Sequence, residues 1–379
     1  MPMNIFISAG DPSGDIHAAN LAQALKVQCP AARITALGGD RIKEVADTFI
    51  ADIVGFSGFG FFKPFQLYFS LKKIFKDISN RWDTERPEKV ILVDYYGFNI
   101  HLAEEARRRD IPVFYYVSPQ VWASRPGRIR RLAKVVTKML VILPFEEKLY
   151  RDAGVDAVFV GNPLIDMVPD PEERSAGSKP VIGLFPGSRP SVLKKHLPVL
   201  FAAAEIIRKT EEVDIRVFAL PSARGELSGI PYPVIIEADY KERQKLVLAI
   251  TTSGTVSLEN ALLGIPMVVM YRLSSFNYFL ARLLVRIKFI TMVNIMAGRA
   301  VVPELIQNDA TPENIARRAL TLLQNADQRE LVRKELLSFR HKLGAPGVSA
   351  RTAAIILHCD GTVKTVHTTV QEAVRRKFT

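Results

Sequence analysis

Residues 4–9 read Asn-Ile-Phe-Ile-Ser-Ala, and after a short turn residues 16–26 read Ile-His-Ala-Ala-Asn-Leu-Ala-Gln-Ala-Leu-Lys. The first run is short and mostly apolar, as expected of a strand covered on both faces. The second places its apolar residues three and four apart, which lines up one face of a helix. Further short strands are expected at Ile34–Leu37, Val90–Val93 and Val113–Val117, each followed by a turn and a helix candidate. Strand and helix in alternation imply a parallel sheet covered on both faces.

Beyond Gly161-Asn162-Pro163, residues 168–180 (VPDPEERSAGSKP) are acidic and contain Pro and Ser, the composition of a linker. A second alternation opens at Val181–Pro186 and continues through Arg216–Leu220, Leu246–Thr252 and Pro266–Met270. Residues 344–357 (GAPGVSARTAAIIL) open with glycines, offer Ser349 as an N-cap and continue as an apolar helix. The chain therefore reads as α/β, with two doubly wound, Rossmann-like domains facing each other across a cleft. Residues 1–165 form the first and 166–344 the second; a helix at about 345–358 crosses back to the first, and 359–379 form a polar tail. Folds of this kind bind ligands outside the carboxyl ends of their strands.

A length of 379 residues suits two cores, and 48% hydrophobic with 24% charged residues is ordinary globular composition. The 51 Lys and Arg against 39 Asp and Glu leave a net charge of +12, which favours anionic partners. No zinc-finger spacing or base-stacking module accompanies that charge, so nucleic acid is not among the expected partners. Cys29 and Cys359 make neither a disulfide framework nor a metal cluster, which suits a reducing cytoplasm. The N-terminus shows no secretory pattern, and no stretch approaches the ~18 charge-free apolar residues of a membrane span. A soluble or peripheral protein is expected.

Four loops carry candidate chemistry. Residues 251–260 (TTSGTVSLEN) end a strand, turn on small residues and open a helix, whose unpaired N–H groups and positive dipole end favour a diphosphate. Gly254 permits close approach to the backbone beside Ser253 and Thr255, and Glu259, one turn into the helix, suits ribose hydroxyls. The competing account is plain N-capping by Ser253 or Thr255 with Glu259 solvated. Residues 185–189 (FPGSR) form a second such loop, in which Gly187, Ser188 and Arg189 supply a phosphate seat with a bidentate cation.

In the first half, residues 9–15 (AGDPSGD) follow the first strand. Two acidic residues there would repel a pyrophosphate, so Asp11 and Ser13 suit a hydroxyl-rich sugar, or else cap the helix. Asp94 ends the strand Val90–Val93 and is placed to act as general base on an acceptor hydroxyl, its alternative being a turn cap. Asn99 accompanies it as a cleft residue, with His101 and His17 as lesser candidates. Residues 56–69 (FSGFGFFKPFQLYF) cluster aromatics, among them Phe59, Phe61, Phe62, Phe65 and Phe69, ahead of Lys72, Lys73 and Lys76. Together with residues 276–290 (FNYFLARLLVRIKFI), this composition suits contact with a bilayer or with acyl chains, against the alternative of core packing.

Taken in order, SAGDPSGD, VDYYGFN, YYVSPQVWASRPGRIRR, LPFEEKLY, LFPGSR, SGTVSLE, MVVMYRLSSFNYFLARLL and MVNIMAGRAVVPELIQ resemble the lipid-A-disaccharide synthase family from about Asn4 to Leu357. The resemblance implies the GT-B fold and an inverting glycosyltransferase that needs neither cofactor nor metal. Its donor would be UDP-2,3-diacylglucosamine and its acceptor 2,3-diacylglucosamine 1-phosphate. The products would be the β-1,6 disaccharide 1-phosphate and UDP, formed at the cytoplasmic face of the bacterial inner membrane by a peripherally bound enzyme, with which a homodimer is compatible. Matched motif by motif, Asp94 would be the essential aspartate (Asp11 the runner-up base) and Arg189 the diphosphate-binding arginine. Ser253, Gly254, Thr255 and Glu259 would contact the nucleotide, with Asn294 a further polar site residue and Gln120, in the Ser-Pro-Gln-Val-Trp segment, on the acceptor side.

The departures from the family pattern lie in the acceptor half: Asp11 stands where Glu is usual, Tyr95-Tyr96-Gly97 replaces Ala-Pro-Asp, and Ser124 replaces Trp. Two other readings stay open at this point. One is another GT-B enzyme of UDP-sugars, a glycolipid transferase or a 2-epimerase, the latter converting a UDP-sugar without any acceptor. The other is a membrane-associated binding protein without catalysis, which would bind UDP and reject every acyl sugar.

Overall fold

A computed structural model of the protein describes residues 3–55, 64–124, 127–172, 179–187, 190–220, 223, 225–236, 239–274, 278 and 287–359. The chain divides into two compact units, Met1–Pro163 with the residues from Leu343 onward, and Leu164–Lys342.

In the first unit, the described strands are β1 (Asn4–Ala9), β2 (Arg33–Gly38), β3 (Thr48–Asp52), β4 (Lys89–Val93), β5 (Val113–Tyr116), β6 (Lys138–Val141) and β7 (Ala157–Phe159). They form one parallel sheet in the order β3-β2-β1-β4-β5-β6-β7. In the second unit, β8 (Val181–Phe185), β9 (Asp214–Ala219), β10 (Val234–Ile236), β11 (Leu246–Thr252), β12 (Met267–Tyr271) and β13 (Glu304–Ile306) are ordered β10-β9-β8-β11-β12-β13. Both units are Rossmann-like, as the alternation of the sequence predicts. In each, the chain winds outward from the first strand, then returns past it and winds the other way. Neighbouring strands β1 and β4, and again β8 and β11, therefore send their following chain to opposite sides, opening a crevice at their carboxyl ends.

Hydrophobic burial explains why these strands are central. All five residues of β4 and all five of β8 are buried, which only strands covered on both faces require. In the first unit, Ile5, Ile7, Leu21, Ile91, Val93 and Phe114 belong to one core with Val348, Ala353 and Ile356 of the helix Val348–His358. In the second, Ile182, Leu184, Leu200, Ile207, Leu248 and Ile250 centre another.

Structure departs from sequence at several local points. Gly347, at φ +85°, caps the C-terminal apolar helix in place of Ser349, because the left-handed turn into Val348 suits a residue without Cβ. β5 ends at Tyr116, and Val117 turns out of the sheet at φ +56°. The strands β3, β6, β7, β10 and β13 have three to five residues each, too few to show a period.

Lys89 fastens the C-terminal helix to the first sheet. It is 8% exposed, and its Nζ donates to the carbonyls of Ile356 at 2.5 Å, Leu357 at 3.0 Å and Cys359 at 3.2 Å. Carbonyls at a helix C-terminus have no partner within the helix and sit at its negative dipole end. Lys89→Met keeps most of the stem and removes the ammonium. Urea unfolding should show it less stable by about 2–3 kcal/mol, the scale of hydrogen bonds to a charged donor in a buried place.

Candidate active site

The four loops singled out in the sequence leave β1, β4, β8 and β11, the strands that flank the two crevices. In the first unit, Val93 pairs with Ala9, so the turns after β1 and β4 start side by side. Asp11 N-caps the helix Pro12–Gln28, its Oδ2 accepting from the Gly14 N–H at 3.3 Å, and Ser13 is half-buried beside it. Asp15, the second acidic residue of that loop, is 4% exposed and accepts from the amides of Gly39 at 2.8 Å, Arg41 at 3.0 Å and Ile42 at 3.2 Å. It thereby caps the helix Asp40–Val45 from a neighbouring element.

Asp94 and Tyr95 both lie in the left-handed region, at φ +46° and +42°. Two consecutive non-glycine residues there cost on the order of 1–3 kcal/mol each, and such strain persists where the surroundings over-determine it. Those surroundings are visible. Asn99, fully buried, donates from Nδ2 to the carbonyls of Val93 at 3.2 Å and Asp94 at 3.0 Å, while its Oδ1 accepts from Ser8 Oγ at 2.7 Å. Tyr115 Oη donates to the Asp94 carbonyl at 2.5 Å. The Tyr95 ring lies against Gly10, where a Cβ would come within 2.1 Å of it, so only glycine admits that approach. Asn99, expected in the cleft, is thus a tie between the ends of β1 and β4.

The half-buried Asp94 carboxyl is pushed up from the ordinary 3.8 to about 7, chiefly by burial and then by the negative charge of Asp11. A group so placed exchanges protons near neutral pH, as a general base must. Glu146, to which the sequence alone assigns no role, is 1% exposed and pushed up to about 7 by burial, with the charge of Asp94 adding to it. Its signal in the sequence was the Pro-Phe-Glu-Glu start of a helix, where Glu146 is indistinguishable from an ordinary first-turn carboxylate. Gln120 is exposed at the end of the loop after β5. Arg128 lies over the Tyr96 ring at 4.3 Å, next to the same turn. His17 is buried and held down to about 4 by burial, and His101 is an exposed neighbour of Glu104 and Arg131.

In the second unit, Thr251 pairs with Phe185, which sets the turn after β8 beside the turn after β11. A Cβ on Gly187 would stand 3.6 Å from Thr252 Oγ1. Gly254, not Ser253 or Thr255, is the N-cap of the helix Thr255–Leu262, and no side chain caps it. Ser253 Oγ instead donates to the Ile290 carbonyl at 2.7 Å, and Ser257 Oγ to the Gly254 carbonyl at 2.7 Å. Gly254 takes φ +152°, a backbone state nearly confined to glycine, and a Cβ there would meet nothing within 4 Å. Exposed Gly254 and Thr255 therefore border open space at an uncapped helix N-terminus, the arrangement that accepts anionic oxygens.

Glu259 is not a solvated charge. Its Oε2 accepts from Arg243 Nη1 at 2.6 Å, and that guanidinium lies over the rings of Phe185 at 5.1 Å and Tyr240 at 4.8 Å. Asn294 is fully buried: Oδ1 accepts from the amides of Val301 at 2.8 Å and Val302 at 3.0 Å, and Nδ2 donates to the Val302 carbonyl at 2.9 Å and to Glu304 at 2.8 Å. Its hydrogen bonds are spent on residues 301–304, and Glu304 in turn accepts from the N–H of Ile290, whose carbonyl holds Ser253, so Asn294 braces the turn from behind. His196 does likewise for the β8 turn. The Arg272 N–H donates to Nε2 at 3.1 Å, which leaves Nδ1 to carry the proton and donate to the Pro186 carbonyl at 3.1 Å. Ser188 and Arg189 lie outside the described residues, as do Phe59, Phe61 and Phe62; the side chain of Phe65 does too.

Phe69 and Tyr68 are 58% and 60% exposed on the helix Pro64–Thr84, with Lys72, Lys73 and Lys76 also exposed. Further along, Ile78 and Trp82 are buried, Trp82 packing edge-on against Phe6 at 5.2 Å. One end of this helix is seated in the core while the other presents aromatics and lysines. Among the described residues, no helix is long and apolar enough to cross a membrane.

The family described as lipid-A-disaccharide synthetase matches residues 5–356. The lipid-A-disaccharide synthase of Syntrophus aciditrophicus is 37% identical over 372 residues, covering 93% of this chain and 97% of the relative. That of Nitrosococcus oceani is 36% identical over 357 residues, covering 90% and 92%. Among solved structures, a putative UDP-N-acetylglucosamine 2-epimerase from Listeria monocytogenes superposes with a TM-score of 0.66 at 15% identity, covering 97% of this chain and 100% of that one. The glycotransferase of kitacinnamycin gives 0.60 at 15%, covering 94% and 99%. These structures share the GT-B fold with the chain; identities so low speak to fold alone.

The raised Asp94 carboxyl sets a sign for stability against pH. Below about 4 both folded and unfolded chains hold its proton; between about 4 and 7 only the folded chain does. Folding therefore loses stability from this group as pH rises through that window, and the whole penalty is present above it. Asp94→Asn removes the penalty. In denaturant titrations it should be more stable than the unaltered protein by on the order of 3 kcal/mol at pH 8 and by much less at pH 4.

Proposed function

This chain belongs to the lipid-A-disaccharide synthase family, and from that premise we propose the reaction that its two crevices carry out. The family's members are glycosyltransferases, with a UDP-sugar as donor and a sugar phosphate as acceptor. The second unit takes the donor, UDP-2,3-diacylglucosamine, and the first takes the acceptor, 2,3-diacylglucosamine 1-phosphate.

Charge supports that allocation. The second crevice offers glycine turns and an uncapped helix N-terminus to a diphosphate, with Glu259, steadied by Arg243, for the ribose hydroxyls. Arg189, by its place in the family motif, would take the diphosphate charge. The first crevice gathers Asp11 and Asp94, which repel a diphosphate and suit hydroxyls.

The observation that carries the mechanism is the Asp94 carboxyl at the exit of a central strand, poised near neutral pH. Asp94 accepts the proton of the acceptor's 6-hydroxyl while that oxygen bonds to C1 of the donor from the face opposite UDP. The C1–O bond to the diphosphate breaks, the electron pair leaves with UDP, and the α-linked donor becomes a β-1,6 linkage. Amides at the N-terminus of Thr255–Leu262 and the Arg189 guanidinium stabilise the negative charge that gathers on the leaving group. Asp11, already capping Gly14, assists through its charge and stands second to Asp94 as the base. The exposed aromatics of Pro64–Thr84 and the lysines beside them meet the lipid surface that holds both acylated substrates.

Incubation of the purified protein with both acylated sugars, followed by mass spectrometry, should yield the disaccharide 1-phosphate and UDP. Asp94→Asn and Asp94→Ala should lower turnover by about a thousandfold or more and leave UDP affinity within about twofold; near-normal turnover in either variant would rule Asp94 out as base. Replacing Lys72, Lys73 and Lys76 together by Gln should weaken binding to phosphatidylglycerol vesicles by about 3 kcal/mol at physiological salt, read by co-sedimentation.

A further inference from the structure

One carboxylate holds both legs of the loop that leaves β5. Ser118 Oγ donates to Glu146 Oε1 at 2.8 Å, and Trp122 Nε1 donates to the same oxygen at 3.0 Å. Oε2 accepts from the Leu143 N–H at 3.3 Å, at the start of the helix Pro144–Asp152. One turn along that helix, Tyr150 Oη donates to the Pro119 carbonyl at 3.0 Å, and Phe145 meets the Trp122 ring edge-on at 5.2 Å. Ser118, Pro119, Val121 and Trp122 are all buried; Gln120, between them, is exposed.

An ordinary packing role does not account for this arrangement. A buried carboxylate is costly, and an apolar residue of similar volume would serve a core as well or better. What a carboxylate alone supplies is two oxygens for three converging donors, and with them one fixed loop geometry. The loop needs it. Val117 sits at φ +56°, an unfavourable state for a β-branched residue, and would relax if its neighbours were released. Its strand is the neighbour of β4, with Val93 paired to Tyr116, so the loop leaves the sheet beside the Asp94 turn.

We infer that Glu146 is a positioning residue for acceptor binding: by pinning Ser118 and Trp122 to one carboxylate oxygen, it presents the Gln120 amide beside the Asp94 turn, to the hydroxyl and amide groups of the acceptor sugar. The inference rests on the reading of the first unit as the acceptor side. Gln120 both donates and accepts, as a sugar bearing hydroxyls and an acylated nitrogen requires. Glu146 touches no substrate and acts through the loop.

The experiment compares steady-state constants of the unaltered enzyme with those of Glu146→Ala, Gln120→Ala, the double variant, Glu146→Gln and Trp122→Phe, using both acylated sugars. Glu146→Ala and Gln120→Ala should each raise the acceptor KM about tenfold, the effect of one lost hydrogen bond of ordinary strength, while the donor KM and UDP affinity stay within twofold. The double variant should be no worse than either single one, because both remove the same contact. Glu146→Gln can accept from Ser118 and Trp122 but then turns its NH2 on the Leu143 N–H, so its acceptor KM should fall between. Trp122→Phe removes one leg without exposing a buried charge, and should raise the acceptor KM even where Glu146→Ala fails to fold. Additive effects in the double variant, or loss of kcat with an unchanged acceptor KM, would overturn the role of Glu146. No transfer by the unaltered enzyme would instead overturn the reading of the function on which it rests.

Discussion

The side chain of Asn99 joins two strand ends that the topology would otherwise let diverge. β1 and β4 lie side by side, yet their chains leave in opposite directions, so their ends need a tie from outside the strand ladder. Asn99, entirely buried, meets this need with bonds to Ser8, Val93 and Asp94. The features of that turn hang from the tie: the left-handed Asp94 and Tyr95, the Tyr95 ring over Gly10, and the carboxyl that burial has lifted towards neutrality.

The second unit solves the same topological problem with different chemistry. Its strand ends are braced from behind by His196, Asn294 and Glu304, which bond backbone and leave the exits of β8 and β11 lined by glycine. No side chain caps the helix after Gly254, so its amides remain for a ligand. Two copies of one fold thus carry opposite electrostatic offers, carboxylates in one crevice and backbone N–H groups in the other. The proposed allocation of a hydroxylated sugar to one crevice and a nucleoside diphosphate to the other rests on that difference.

Strain and burial concentrate where this chemistry is placed. Asp94, Tyr95 and Val117 occupy left-handed backbone at the ends of two adjacent strands, and Asp94 and Glu146 are carboxyls kept from water. Each lowers stability, and Asp94 and Glu146 are held by bonds from other elements, the first from Tyr115 and Tyr116, the second from Ser118 and Trp122. The cores of the two units, built on fully buried strands such as β4 and β8, offset that cost.

The sequence by itself determined the fold class, because fully buried strands leave unbroken apolar runs and the helices between them keep a 3.6-residue period. It also located the loops at the strand ends, since Gly, Asp and Ser cluster where a strand stops and a helix starts. What a loop residue does there was beyond its reach. Asn99 and Asn294 look like site residues in one dimension and are internal ties in three, because their partners lie on strands far away in sequence. Glu146 looks like a first-turn helix charge, and only the approach of Ser118 and Trp122 from another strand end makes it a hub. The edge strands β3, β7, β10 and β13 were likewise invisible, too short for a period and formed only because a longer neighbour offers them a ladder. Local pattern records which faces must be buried; the direction of a polar side chain, and the proton affinity that follows from its surroundings, are decided when distant segments close around it.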